Sequence, residues 1–209
     1  MIRTYAFSAA GGHAVNEDAF ALHLLPAEGD AYLVALADGQ GGRSGGARAA
    51  QLVCRVVRER ADEVESLGWP AVLALADAEV AADPQAGFTT LVGLSVRAER
   101  VTGASCGDSA AVAVCGANAP RVLTSRQFKN PPVGSGEADF IPFELALTLP
   151  WKVLLMSDGV WKYASWDTVW NCTTRLSGVE LLDALQVAAR LPATSEFPDD
   201  FTVVLLESE

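Results

Sequence analysis

The sequence predicts an α+β fold with antiparallel sheets, on three observations. Short apolar runs with strand patterning come in blocks. Pairs of helix-period segments separate those blocks. Runs within a block are joined by short turn signals and not by the helical crossovers that a parallel βαβ repeat needs. At 209 residues and 50% apolar side chains the chain has the size of one domain with a sizeable core. No internal repeat or low-complexity linker divides it, so residues 1–209 read as a single domain.

Apolar runs at 4–8, 19–25 and 31–37 read as three strands separated by Gly- and Pro-containing turns. The period then changes. From Ser44 onward, Ala50, Val53, Cys54, Val57, Ala61 and Val64 share one helical face, and 69–82 reads as a second helix behind the Ser66-Leu67-Gly68 break. Runs at 88–97, 100–105, 110–115 and 122–124 suggest an antiparallel meander, and residues 126–143, rich in Pro, Gly and charge, suggest a loop. A buried strand at 153–156, helices at 166–175 and 179–189, and a closing strand at 202–206 complete the chain. Trp166 and Trp170, four residues apart, should share a helical face as part of the aromatic group with Trp161 and Tyr163. His23, inside an apolar strand, reads as structural.

The formal net charge is −11. With no basic cluster, this repels phosphate backbones and argues against a nucleic-acid partner. No stretch reaches the roughly 18 apolar residues of a membrane span. Cys54, Cys106, Cys115 and Cys172 lack CxxC spacing and lie in or beside apolar runs, so buried free thiols and a reducing, cytoplasmic setting are expected.

Acidic residues recur at the strand boundaries: Glu17 and Asp18 in "NEDAF", Asp38 in "LADGQGG", Asp108 in "CGDSA", Asp158 in "LLMSDGV", and Asp199 and Asp200 in "PDDFTVV". Taken singly, each is ordinary turn chemistry. As a set they are suggestive, because Mg or Mn needs oxygen ligands in near-octahedral geometry, and strand ends are stiffer mounts than long loops.

In order along almost the whole chain, "NED", "DGxGG", the Thr pair of Gly87-Phe88-Thr89-Thr90, "GDS", "SDG" and "DDFTVV" resemble the metal-dependent serine/threonine phosphatases of the protein phosphatase 2C type, the PPM family, and in particular its compact bacterial members. The resemblance implies a four-layer α-β-β-α sandwich with two central antiparallel sheets flanked by helix pairs. It also implies a binuclear Mg2+ or Mn2+ centre at one end. Asp38 would bridge both ions and the Gly39 carbonyl would ligate one. Asp158 and Asp199 would complete the first site, Asp199 being preferred to Asp200 by its register before "FTVV". Glu17 would reach the second ion directly or through water, Asp18 would orient a bound water, and Asp108 with Asp158 matches a third, weaker site. Two such ions acidify a shared water to hydroxide and clamp an in-line displacement at phosphorus. The implied substrate is a phosphorylated protein, opposing a serine/threonine kinase.

The chain departs from that pattern at several positions. His13 stands where the resemblance implies a phosphate-binding Arg, and an imidazole is a poorer clamp than a guanidinium fork. Gln40 stands where some relatives carry a proposed proton donor. Phe88 replaces a Gly, Ala110 an Arg and Asp200 an Asn. The stretch 126–150 lacks the usual acidic-histidine segment. These departures keep a second reading in view, a weakly active or inactive phosphatase-like module that binds a phosphoprotein. Hydrolysis of a small phosphoester is a third.

Overall fold

Strand β3 (Tyr32–Asp38) shows how the layers arise. Leu33, Ala35 and Ala37 point into one core while Val34 and Leu36, between them, point into another. The same alternation recurs in β9 (Trp151–Met156) and β10 (Phe201–Ser208). There Val153, Leu155, Val204 and Leu206 join Val34 and Leu36, whereas Leu154, Met156, Val203 and Leu205 face a third core. Strands apolar on both sides must be covered on both sides. The computed structural model, which describes residues 1–12, 14–25, 31–40 and 45–209, shows the resulting α-β-β-α sandwich.

One sheet has the order β2-β3-β4-β5-β8 and the other β1-β10-β9-β6-β7. The remaining strands are β1 (Arg3–Ala9), β2 (Asp18–Leu24), β4 (Leu91–Arg97), β5 (Arg100–Cys106), β6 (Ala110–Cys115), β7 (Arg121–Val122) and β8 (Ile141–Ala146). Every pairing is antiparallel. Helices α1 (Gly46–Glu59) and α3 (Trp69–Ala81) cover the outer face of the first sheet, linked by a 3-10 turn and the short α2 (Val64–Leu67). Helices α4 (Asp158–Ala164) and α6 (Gly178–Ala189) cover the second, with α5 (Trp166–Arg175) packed against both.

The expected elements are present, with differences. The meander breaks after β5: β4 and β5 form a hairpin, but β8 takes the free edge of β5, and β6 crosses to the other sheet between β9 and β7. Both faces of these strands are apolar, so patterning cannot say which sheet a strand joins. The crossing is made at Gly107, whose φ of 121° is open to glycine. Strand β8 lies partly inside the stretch read as loop; its exposure alternates, but Pro142 stands near its start and reads against a strand. Helix α4 was not expected, because a seven-residue segment is too short to show a helical period. The helix start near Ser44 lies outside the described residues. The Trp166 and Trp170 rings do stack, with centroids 4.9 Å apart, and Trp161 stacks on Trp166 at 5.6 Å. All four cysteines are buried free thiols. Among the described residues no helix is long and apolar enough to cross a membrane.

The connection between β7 and β8 is tied to α3 by one side chain. Asp77, 2% exposed, accepts from the backbone N–H groups of Gly134 (2.5 Å), Gly136 (3.2 Å) and Ala138 (3.1 Å). Replacing Asp77 with Ala would strand those donors. The expected result is a loss of about 3 kcal/mol in denaturant unfolding, with faster hydrogen exchange at 134–138; unchanged exchange there would contradict the anchoring role.

Candidate metal centre

The strands deliver their terminal acids to one end of the sandwich. Asp18 opens β2, Asp38 closes β3, and the two are direct cross-strand partners. Being in phase with Val34 and Leu36, Asp38 lies on the face toward the other sheet, from which Asp158, after β9, and Asp199, before β10, approach. The Asp158 N–H points at Asp38 Oδ2, 3.5 Å away. A cleft of about 560 Å3 is lined by Glu17, Asp38, Gly39, Asp108, Asp158 and Asp199, with Asp200 beside them. A larger groove of about 950 Å3, beside Trp69, Ser95 and Phe143, opens at the opposite end of the first sheet. Its acids, Asp62, Glu65 and Glu144, come from the 3-10 turn, α2 and the middle of β8 and not from strand ends.

The backbone around Asp38 is latched by the two threonines. The Asp38 N–H donates to Thr90 Oγ1 (3.0 Å), while Thr89 Oγ1 (2.9 Å) and the Thr90 N–H (2.9 Å) donate to the Asp38 carbonyl. Thr90 Oγ1 also pairs with Ser109 Oγ at 2.7 Å, tying this strand end to "GDS". Gly39 is required by close approach. A Cβ there would lie 2.6 Å from the Gly46 carbonyl carbon and 2.7 Å from the Glu17 carbonyl oxygen. The glycine of "SDG" has the same reason, since a Cβ on Gly159 would overlap the Asp200 carbonyl. The Glu17 carboxylate sits over the start of α1, 3.1 Å from where a Gly46 side chain would begin, at the electropositive end of that helix.

The two acids of "PDD" separate cleanly. Asp200 is buried and spends its oxygens on the N–H groups of Gly11 (2.8 Å) and Glu17 (2.6 Å), clamping the N-terminal segment. Asp199 lines the cleft. Asp18 is set behind the cleft wall, 8% exposed, with both carboxylate oxygens buried and lacking a hydrogen-bond partner. Burial pushes its carboxyl up to about 7, with the charges of Asp200 and Asp158 adding to the rise; the Ser157 and Thr202 hydroxyls nearby only partly oppose it. Burial, then the charges of Asp18, Asp158 and Asp108, push Asp38 up to about 9. Asp158 is raised as well, by burial first.

An all-oxygen donor set with an orphaned buried carboxylate fits a hard divalent cation. Among the described residues, though, no three acidic, imidazole or thiol groups close into a ready-made cage. Two of the acids are turned toward lysines: Lys162, one helical turn along α4, pairs with Asp158, and Lys129 pairs with Asp108. Neither lysine was anticipated. The Asp158 to Lys162 spacing of four was a readable signal. Lys129 had none, since its partner is remote in sequence. His13 lies outside the described residues. Gln40 is exposed at the cleft mouth, its N–H bonded to the Phe88 carbonyl at 2.9 Å, and His23 is a partly buried residue of β2 opposite Leu33.

Fold and cleft together define a phosphatase-type hydrolase. The chain matches the family model for protein phosphatase 2C over residues 8–193, and it belongs to the protein phosphatase 2C family. Similar solved structures include the serine/threonine phosphatase Stp1 from Staphylococcus aureus, at TM-score 0.81 and 20% identity, covering 100% of this chain and 96% of that one. The catalytic domain of the serine/threonine protein phosphatase PstP, solved with two manganese ions, aligns at TM-score 0.78 and 22% identity over 99% and 97% of the two chains. RsbX, solved with magnesium, aligns at TM-score 0.78 and 16% identity over 99% and 94%. A search of curated protein sequences returned no match.

Crowded carboxylates have a consequence for stability. Raised folded-state values mean that Asp18 and Asp38 favour folding most fully below their ordinary 3.8, and that this contribution is lost as pH rises through about 7 and about 9. With chelator present, the melting temperature should therefore fall as pH rises across that window, and Asp18→Asn should flatten the fall. A melting temperature that rises from pH 5 to pH 9 in both proteins would contradict this. Adding Mn2+ at a hundred times its Kd should stabilise the wild-type protein by about 2.7 kcal/mol.

Proposed function

We propose that the chain is a Mg2+- or Mn2+-dependent phosphatase that removes phosphate from phosphoserine or phosphothreonine in proteins, opposing a serine/threonine kinase. The observation that carries the proposal is the convergence of Glu17, Asp38, Asp158 and Asp199 from both sheets on one cleft, under an electrostatic stress that a cation would relieve. Asp38, the Gly39 carbonyl, Asp158, Asp199 and Glu17 would hold two ions. When bound, divalent ions lower the pKa of a water and neutralise charge on the phosphoryl oxygens. The metal-bearing relatives PstP and RsbX support that identity.

The chain's own residues have distinct tasks in this reading. Thr89 and Thr90 hold the Asp38 backbone, so its carboxylate would need little reorganisation as the reaction proceeds. Asp200 holds Glu17 in place through its N–H. Asp18, behind the wall, would act on the cleft through its charge beside Asp38, and Asp108 would line the side that a third, weaker ion could share. Gln40 has no proton to give near neutral pH, so the leaving alcohol would take its proton from solvent. His13 would donate to phosphate. The buried free thiols support a reducing, cytoplasmic setting.

Turnover of p-nitrophenyl phosphate and of a phosphothreonine peptide should require Mn2+ or Mg2+ and stop with chelator. Asp38→Ala and Asp158→Ala should each lower kcat/KM by about a thousandfold, the scale of losing one preorganised charge-stabilising group. Absence of both turnover and calorimetric metal binding in the wild-type protein would sink the proposal and favour a phosphoprotein-binding module.

A further inference from the structure

The cleft holds two ammonium groups as well as its acids. Among its described lining residues, Lys129 and Lys162 are the cationic side chains. They come from separate elements, the segment after β7 and helix α4, and both sit on the Asp108 and Asp158 side. Resting on the phosphatase reading, we propose that Lys129 and Lys162 form the phosphate-receiving face of this cleft, their ammonium groups binding the anionic oxygens of the substrate's phosphoryl group.

Both lysines have supported mountings. The segment carrying Lys129 is pinned on either side of it: before it, Gln127 Nε2 donates to the Ser109 carbonyl at 2.8 Å and the Phe128 carbonyl accepts from the Gly107 N–H at 2.8 Å and from Cys106 Sγ at 3.3 Å, and after it the Pro131 carbonyl lies 3.5 Å from the same Sγ. The partner helix is fastened to the same place, since Trp161 Nε1, one residue before Lys162, donates to the Asp108 carbonyl at 3.1 Å. Residues 106–109 therefore hold the two lysine-bearing backbones in register with each other.

The exposures point outward. The Asp108 and Asp158 side chains are 18% and 14% exposed, against 60% and 40% for Lys129 and Lys162. Each acid thus forms the floor beneath an ammonium group that faces the opening. An ammonium carries three donors, and pairing with one carboxylate leaves capacity for a ligand oxygen.

Charge sets the need. A phosphomonoester carries about −1.5 to −2 at neutral pH, and it must enter among Glu17, Asp38, Asp108, Asp158, Asp199 and Asp200. Fully ionised, these six outnumber the two lysines by four charges, which two divalent ions would balance. Without the lysines the lining would stay negative and repel the substrate. Asp158 also connects the two tasks: engaging it with an ion frees Lys162 to turn toward the incoming anion.

The test uses the full chain loaded with Mn2+ and inorganic phosphate as the probe, titrated by calorimetry, alongside KM and kcat for a phosphothreonine peptide. Lys129→Met and Lys162→Met should each raise the phosphate Kd and the peptide KM about tenfold, the size of one charge-assisted hydrogen bond, with a smaller change in kcat. The double variant should lose more, and Lys162→Arg should retain most of the affinity. Unchanged phosphate affinity in the double variant, with tighter Mn2+ binding, would overturn the proposal and leave the lysines as counter-ions to the acids. A wild-type chain that binds phosphate through these lysines yet turns nothing over would overturn the phosphatase reading and uphold this one.

Discussion

Asp18 and Asp38 face each other across neighbouring strands, and much of the structure around them is organised to keep them there. Like charges directly opposite in a sheet are unfavourable, and these two are also desolvated, one of them with no hydrogen-bond partner for either oxygen. The register cannot slip to relieve them. A shift of one residue would turn Val34 and Leu36 out of the core between the sheets and Leu33 and Ala35 out of the core under the helices. The latch from Thr89 and Thr90 fixes the Asp38 backbone, and the Asp200 clamp fixes the segment leading into Asp18. A site that breaks a local rule this firmly needs compensation, and a bound divalent cation would supply it.

Much of the architecture could be read from residue patterning because the sandwich repeats one device. The inner strands are buried on both faces and the helices on one, so continuous apolar runs and helical periods alternate along the chain in blocks. The missed features share a cause as well. Sheet membership depends on which edge is free, and the crossing at Gly107 leaves no mark on the apolar pattern of β5 or β6. Strand β8 is partly exposed and contains Pro142, so it reads as loop. Helix α4 is too short to show its period, although it begins at Asp158, one of the residues that matter most.

The acids of the cleft were legible for a different reason: each ends or precedes a strand, and their order along the chain carries the resemblance. Geometry then adds what order cannot. It places Asp199 in the cleft and commits Asp200 to two backbone amides, although the residues are adjacent and chemically identical. It sets Asp18 behind the wall. It also joins Gln40 and Phe88, two of the departures, through a backbone hydrogen bond. Lys129 reaches the cleft only through the tertiary arrangement of its loop, with α3 anchoring the following segment through Asp77, and no local signal announces that.

The cleft is accordingly a balance of charges held on rigid mounts: acids delivered by strand ends, lysines placed to offset part of them, and room for cations to offset the rest. The central claim is that the end of the sandwich bounded by Asp38, Asp158 and Asp199 is where divalent cations bind. Anomalous diffraction at the manganese edge, from crystals grown with Mn2+, tests it most directly. The account predicts two anomalous peaks in contact with the Asp38 carboxylate, with the Asp158 and Asp199 carboxylates and the Gly39 carbonyl around them. A cleft with no peak while the metal occupies another part of the molecule would contradict it.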